Sequence, residues 1–107
     1  MAKRVSRVRR EEPLPSEMQG RWVAVDDPSE LIVNGGEITC FGKTVEYDYK
    51  EVERQDGALM VNLRIDDASQ NYDFQRRHLT HLIIDPEGKF FVYNVKFVCE
   101  FVRAKTP

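Results

Sequence analysis

The segment from Arg76 to His81 is the part of the chain where cationic and imidazole side chains cluster. On a strand, Arg76, His78 and Thr80 would share one face, and His81 would lie on the other. The two imidazoles would then diverge, and no Cys-x-x-Cys motif supplies further ligands, so we predict no metal site. For Arg76 and Arg77 two interpretations stay open: a solvated face that pairs with acidic groups, or an anion-binding rim at the mouth of a barrel.

Two tyrosines are candidates for the same site. Residues 43–53 alternate in polarity, which predicts a strand with Tyr47 and Tyr49 on one face and polar residues, Lys50 among them, on the other. Each has an apolar ring and a polar tip, a combination common in ligand pockets. We therefore predict that Tyr47, Tyr49, Arg76 and His78 bind a ligand. The alternative is that both tyrosines belong to the core or to an interface.

Catalysis finds little support in the sequence. The chain has no G-x-S-x-G, P-loop or G-x-G-x-x-G motif. The adjacent pairs Asp26-Asp27 and Asp66-Asp67 are typical of turns, where such side chains bond their own backbone. We predict no catalytic residue and no cofactor. An enzyme that uses His78 or His81 with an acid is a lesser alternative.

The net charge of −2 conceals an asymmetry along the 107 residues. The first ten residues carry five basic groups and no acid, which leaves 11 basic and 18 acidic groups, or −7, for the rest. We predict a basic, disordered tail over residues 1–15 and a single domain over residues 16–107. The tail could contact nucleic acid, an acidic partner, an anionic surface or its own acidic domain. Nucleic acid binding is not expected elsewhere.

Targeting signals are not evident in the sequence. No apolar stretch follows the basic residues, and no run of 18 apolar residues occurs, so we expect a cytoplasmic protein with no membrane span.

Cys40 and Cys99 lie in strand-like runs, and we expect two buried thiols unless their strands are neighbours.

Turn signals recur along the chain between short alternating runs. Ser16 and Gln19, followed by Gly20, form a capping-box pattern and a stop signal, which predict one helical turn. After this turn the runs read as strands, with Asn34-Gly35-Gly36 as a hairpin turn. Residues 58–66 alternate, which predicts a strand with Leu59, Val61, Leu63 and Ile65 on one face and Met60 among the residues of the other face. We predict an all-β protein, a small antiparallel up-and-down barrel or half-barrel of seven to eight strands.

The run 89–103 is predicted to be one long strand or two strands joined by a bend. Both of its faces are partly apolar: one face carries Phe91, Tyr93, Val95, Phe97 and Phe101, and the other carries Phe90, Val92, Val98 and Val102. A strand that is apolar on both sides is either covered twice or exposes an adhesive patch.

Gly20-Arg21-Trp22, between a helical turn and the first strand of the domain, resembles the G-x-W start of the lipocalin-like (calycin) barrels. The resemblance implies that Trp22 closes one end of the barrel and that Arg103, after the last strand, packs across the indole. Gly20, Trp22 and Arg103 would then be a structural signature. The resemblance also implies binding of small hydrophobic molecules, although removal of the tail leaves little interior volume.

Two function classes follow from these observations. The first is a non-catalytic barrel that binds a small hydrophobic or anionic molecule, or a protein, at its open end. The second is a protein-interaction module or homodimer that uses an apolar sheet face.

Overall fold

The computed structural model describes residues 4–26 and 28–104, so Lys3 and Asp27 lie outside the described residues, as do the side chains of Arg4 and Arg77. Two 3₁₀ turns cover Ser16–Met18 and Ala68–Gln70, and helix α1 covers Asn71–Arg77. The strands in chain order are β1 (Arg4–Arg9), β2 (Gly20–Ala24), β3 (Glu30–Asn34), β4 (Glu37–Cys40), β5 (Lys43–Thr44), β6 (Tyr49–Gln55), β7 (Ala58–Arg64), β8 (His81–Ile84), β9 (Phe90–Tyr93) and β10 (Val98–Arg103).

These strands form one antiparallel sheet in the order β1-β6-β7-β8-β9-β10-β2-β3-β4-β5. Strands β6 to β10 and β2 to β5 each follow chain order, and the pairing of β10 with β2 joins the two runs. The sheet curls into a half-barrel around one cluster of buried side chains. The predicted antiparallel half-barrel is confirmed, whereas the predicted count of seven to eight strands is wrong.

The higher strand count arises at three places. The run 43–53 divides into β5 and β6, because residues 45–48 cross from one end of the sheet order towards the other. The run 89–103 divides into β9 and β10 at a turn, where Asn94 Oδ1 accepts hydrogen bonds from the backbone of Lys96 and Phe97 at 2.7 and 3.1 Å. The third additional strand is β1.

Strand β1 corrects the prediction of a disordered tail, which does not hold for residues 4–9. It pairs along its length with β6, whose outer face carries Glu51 opposite Arg7. The Arg7 guanidinium also lies 3.8 Å from the centre of the Tyr49 ring and 3.5 Å from the Asp66 carboxylate. The basic segment is therefore ordered by the acidic domain, one of the contacts that its charge suggested.

Helix α1 replaces the strand predicted around Arg76 and His78. Asp67 initiates this region by accepting a hydrogen bond from the backbone of Ser69 at 3.0 Å, as capping residues do. Phe74 is the buried residue of α1 and joins the core, while Arg76 lies on its exposed side. The predicted strand face shared by Arg76, His78 and Thr80 is therefore wrong.

The predicted helical turn before β2 is confirmed as the 3₁₀ turn Ser16–Met18. Its predicted capping box is not formed, since Pro15 occupies the capping position without a side-chain bond. Gln19 bonds elsewhere: its amide nitrogen donates to the carbonyls of Leu14 and Gly35 at 3.0 and 2.9 Å, and its oxygen accepts from Gly35 N at 2.8 Å. Gln19 thus ties the turn to the β3–β4 hairpin.

The core fills the concave side of the sheet. Alternate residues of β7 point inward, and the buried set Leu59, Val61 and Leu63 matches the predicted alternation. After the turn at 94–97 the alternation changes phase, so Phe90, Val92 and Phe101 are all buried. The predicted division of faces over 89–103 is therefore wrong, because it placed Phe101 opposite Phe90 and Val92.

Cys40 and Cys99 remain thiols. They lie in β4 and β10, with β2 and β3 between those strands, so the strands are not neighbours. Cys40 is buried and Cys99 is half-buried. Within the described ranges, no helix combines the length and the apolar composition that a membrane crossing requires.

Candidate functional site

The four predicted ligand-binding residues lie in separate places. Tyr47 is completely buried in the segment between β5 and β6, whereas Tyr49 starts β6 on the outer face, beneath Arg7. Arg76 is exposed on α1, with its guanidinium 5.5 Å from the centre of the Tyr72 ring. The predicted common face of Tyr47 and Tyr49 is wrong, since the backbone changes direction between them.

His78 ends α1 beside a groove of about 160 Å³, lined also by Cys40, Phe41, Lys43, Val45 and Leu79. Its imidazole centre lies 5.4 Å from that of the Phe74 ring. Small-molecule pockets usually enclose about 300–1,000 Å³. The groove beside His78 is below this range, and it contains none of the other three predicted ligand-binding residues.

Tyr47 and Lys50 form a buried polar cluster beneath the segment that follows β1. The Lys50 ammonium donates to the carbonyls of Arg9 and Arg10 at 2.6 and 3.1 Å, and to the Tyr47 hydroxyl at 3.2 Å. The Tyr47 hydroxyl donates to the carbonyl of Gly36. This cluster therefore links β1 to β6 and to the β3–β4 turn.

Burial perturbs both ionisable groups of this cluster. Loss of hydration lowers the pKa of Lys50 to about 8, against opposing attraction from Glu11 and Glu12. Burial also raises the pKa of Tyr47 to about 12, with the charge of Arg10 acting in the opposite direction. The cluster has all its polar atoms committed to the fold, which indicates a structural role.

Gly20, Trp22 and Arg103 lie close together at the start of β2 and the end of β10. The Arg103 guanidinium lies 4.0 Å from the centre of the Trp22 ring and donates to the carbonyls of Gln19 and Glu17. The indole nitrogen of Trp22 donates to Met18 O at 3.0 Å. At Gly20, with φ of +117°, a Cβ atom would lie 2.6 Å from Arg103 Nη1. These contacts give Gly20, Trp22 and Arg103 a structural role.

Apolar side chains form a contiguous patch on the convex face of the sheet. Met60 of β7 lies opposite Ile83 of β8, which lies opposite Phe91 of β9, and Tyr93 lies opposite Val98 of β10. They face outward because their chain neighbours Val61, Leu82, Phe90 and Val92 are buried in the core. Four of the five are half-buried, and Val98 is 68% exposed. We call these five residues the outer apolar patch.

Carboxylates border this patch on both sides. Glu53 of β6 lies opposite Met60, and Glu100 of β10 lies opposite Phe91. Glu53 is only 8% exposed, and its Oε2 atom accepts no hydrogen bond from the described residues. A buried polar atom without a partner is rare in folded proteins. Glu53 is thus the polar group whose bonding is incomplete within the described chain.

His81 lies at the edge of the patch, stacked on Tyr93 with ring centres 4.7 Å apart. Burial, together with the positive charge of Arg64, lowers the pKa of His81. Arg64 itself forms a salt bridge with Glu51 at 2.7 Å. The imidazole is therefore favoured in its neutral form, and its Nδ1 atom lies 2.7 Å from Thr80 Oγ1.

Comparison with known proteins finds no matching family model, no matching curated protein and no matching solved structure. Within residues 4–26 and 28–104, no group of three His, Cys, Asp or Glu side chains is placed to hold a metal ion. The surface of the described residues is therefore the remaining source of evidence on function.

Sequence reasoning assigned the polar and apolar faces of β7 correctly, but it did not single out Met60 or Glu53. The alternation over 58–66 places Met60 on the polar face of its strand, and its apolar neighbours Ile83 and Phe91 come from distant segments. The available signal was the apolar character of both faces in residues 89–103. That signal supports the interaction hypothesis and includes Phe91, Tyr93 and Val98, but it does not include Met60 or Ile83.

Proposed function

We propose that the protein is a non-catalytic protein-interaction module, and that the outer apolar patch docks a partner protein with an apolar surface bordered by basic side chains. The observation that carries this proposal is the alignment of Met60, Ile83 and Phe91 on three adjacent strands, facing solvent. Contiguous exposed apolar surface on a soluble protein commonly marks an interaction site.

The charge of the patch border supports a basic partner. Glu53 and Glu100 lie on β6 and β10, four strand spacings apart, so they are separated by at most about 19 Å along the sheet. Glu100 is only half-buried, so its carboxylate is available to a cationic side chain of a partner. The remainder of the chain after residue 10 is also acidic, which favours association with a basic protein.

Small-molecule binding beside His78 or at Tyr47 receives less support. The groove beside His78 holds about 160 Å³, and Tyr47 is buried in its own hydrogen-bonded cluster. A ligand that contacted Tyr47 would have to displace the segment around Arg10, whose carbonyl accepts a bond from Lys50. The sheet face needs no such rearrangement.

A pair of designed amphipathic peptides tests the proposal. Each helix has about 18 residues and is therefore about 27 Å long, with leucine on one face and either lysine or glutamate on the other. We expect the lysine peptide to bind the wild-type protein and the glutamate peptide to bind at least about tenfold more weakly, measured by fluorescence anisotropy. Equal binding of the two peptides would contradict the proposed charge complementarity.

The variant I83S/F91S locates the site. It removes apolar area from the centre of the patch and should weaken binding of the lysine peptide at least about tenfold. The matched control is Tyr72→Ser, which removes an exposed aromatic side chain from α1, outside the patch. A similar loss in both variants would overturn the assignment. A wild-type dimer that I83S/F91S converts to monomer, seen by sedimentation, would assign the patch to a second copy instead.

A further inference from the structure

The free edge of β1 is a second surface that the structure leaves available, distinct from the outer apolar patch. β1 stands first in the sheet order, and β6 is its only neighbouring strand among the described residues. It has six residues, so it spans about 20 Å. The opposite edge is β5, which has only two residues and is too short to guide a further strand.

The β1 edge lacks several of the features that prevent further pairing. Its sequence RVSRVR contains no proline or glycine, and its register with β6 runs without a bulge from Arg4 to Arg9. Natural sheets usually protect exposed edges with proline, bulges or charged residues. In β1 the protection consists of arginine side chains, which discriminate among partners by charge.

The arginines disfavour a second copy of the same strand. An antiparallel pairing of β1 with itself would bring the positive charges of Arg7 and Arg9 near those of the other copy. Like charges on paired strands are destabilising. A strand with acidic side chains at alternate positions would instead meet these guanidinium groups with opposite charge.

Both guanidinium groups are accessible and oriented. The side chains of Arg7 and Arg9 are 68% and 75% exposed. Arg7 is held over the ring of Tyr49 at 3.8 Å, which fixes its position on the outer face. Its ion pair with Asp66 and those of Arg9 with Glu11 and Glu12 are exposed, and such pairs contribute little stability. Exchange for a partner carboxylate therefore costs little.

We propose that the β1 edge binds an extended acidic segment of a partner protein by strand addition. Backbone hydrogen bonds along β1 would hold the segment, and its acidic side chains at alternate positions would face Arg7 and Arg9. On the inward side the segment would meet Ser6 and the half-buried Val8, so small or apolar residues fit between the acidic ones. The proposal does not depend on the outer apolar patch.

A short peptide of about eight residues that alternates glutamate and valine tests this inference. We expect it to bind the full-length protein at low salt and to bind more weakly at physiological salt, since exposed charges are screened. Two control peptides have the same length: one alternates lysine and valine, and one groups the same glutamates and valines into two blocks. Block-peptide binding as tight as that of the alternating peptide would overturn strand addition, because only the alternating peptide matches a strand face.

A charge reversal completes the test. The variant R7E/R9E should weaken the glutamate–valine peptide at least about tenfold and should bind the lysine–valine peptide instead. I83S/F91S is the matched control. It should bind the glutamate–valine peptide as tightly as the wild-type protein does and should not gain binding of the lysine–valine peptide. Amide hydrogen exchange should show protection of residues 4–9 on addition of the glutamate–valine peptide. Unchanged exchange in β1, or loss of the peptide in I83S/F91S, would overturn the inference.

Discussion

The Lys50 ammonium lies 3.2 Å from the hydroxyl of Tyr47, and both side chains are completely buried. A buried lysine is costly unless its donors are satisfied. Here the carbonyls of Arg9 and Arg10 accept the remaining bonds, so the charge is held by backbone that reaches β6 only because β1 has paired there. The buried cation and the ordered N-terminal strand are therefore coupled.

The lowered pKa of Lys50 predicts that the free energy of unfolding rises with pH in mildly alkaline solution. Its pKa is lowered to about 8 in the folded protein, and an unfolded lysine titrates near about 10.4. Between these values the unfolded chain binds more protons, so the free energy of unfolding increases with pH, by at most about 3 kcal/mol. Urea unfolding at a series of pH values from about 8 to 10 measures this slope.

The variant Lys50→Met should lose this slope, because the group that titrates is absent. The matched control is Lys89→Met, which removes an exposed lysine and should keep the wild-type pH dependence. A slope that persists in Lys50→Met would show that another group causes it.

The raised pKa of Tyr47 predicts that the free energy of unfolding falls as the pH rises further. Its pKa is raised to about 12, whereas an unfolded tyrosine titrates near about 10. The stabilisation is therefore complete below about pH 10 and is lost as the pH rises towards about 12. Ultraviolet titration of phenolate should show a component near pH 12 that is missing from Tyr47→Phe. If that component remains in Tyr47→Phe, it belongs to another tyrosine.

The sequence was sufficient for those parts of the fold that local patterns determine. In β7 the strict alternation of Leu59, Val61 and Leu63 identified the inward face, because one face of a strand packs on the core. The hairpin turn at Asn34-Gly35-Gly36 was predicted for a comparable reason, since Gly35 adopts a positive φ of 61°.

Long-range contacts explain what the sequence does not predict. The alternation over 43–53 predicts Lys50 on the polar face of its strand, and nothing nearby in the sequence supplies the carbonyls of Arg9 and Arg10 that allow its burial. The excess of basic residues predicts a solvated tail, whereas pairing with β6 makes residues 4–9 a strand. The outer apolar patch likewise depends on the register of several strands, which only the folded sheet defines.

The lowered pKa of His81 predicts that the protein loses stability in acid. Burial and Arg64 lower its pKa in the folded protein, so the unfolded chain takes up a proton more readily as the pH falls below about 6.5. The free energy of unfolding should therefore decrease over this range, and His81→Asn should reduce the decrease. Magnetic resonance titration of the two histidines should place the midpoint of His81 below 6.5, with His78→Asn to assign the signals. A midpoint at or above that value would contradict the burial argument.

Gly20→Ala should destabilise the protein through Arg103. The backbone at Gly20 has φ of +117°, and an added Cβ would lie 2.6 Å from Arg103 Nη1. We expect a loss of about 1–3 kcal/mol on unfolding in urea, together with a change in the fluorescence of Trp22, the single tryptophan. Gly88→Ala is the matched control, because its φ of +89° is also positive but nothing lies within 4 Å of the added atom.

The double variant G20A/R103A separates the clash from backbone strain. If the guanidinium causes the larger part of the loss, the effect of Gly20→Ala should be smaller when Arg103 is already alanine, by about 0.5–3 kcal/mol of coupling. Strict additivity of the two single effects, or equal losses in Gly20→Ala and Gly88→Ala, would show that strain alone requires glycine at position 20. Coupling would instead establish that glycine is needed there so that Arg103 can lie across Trp22.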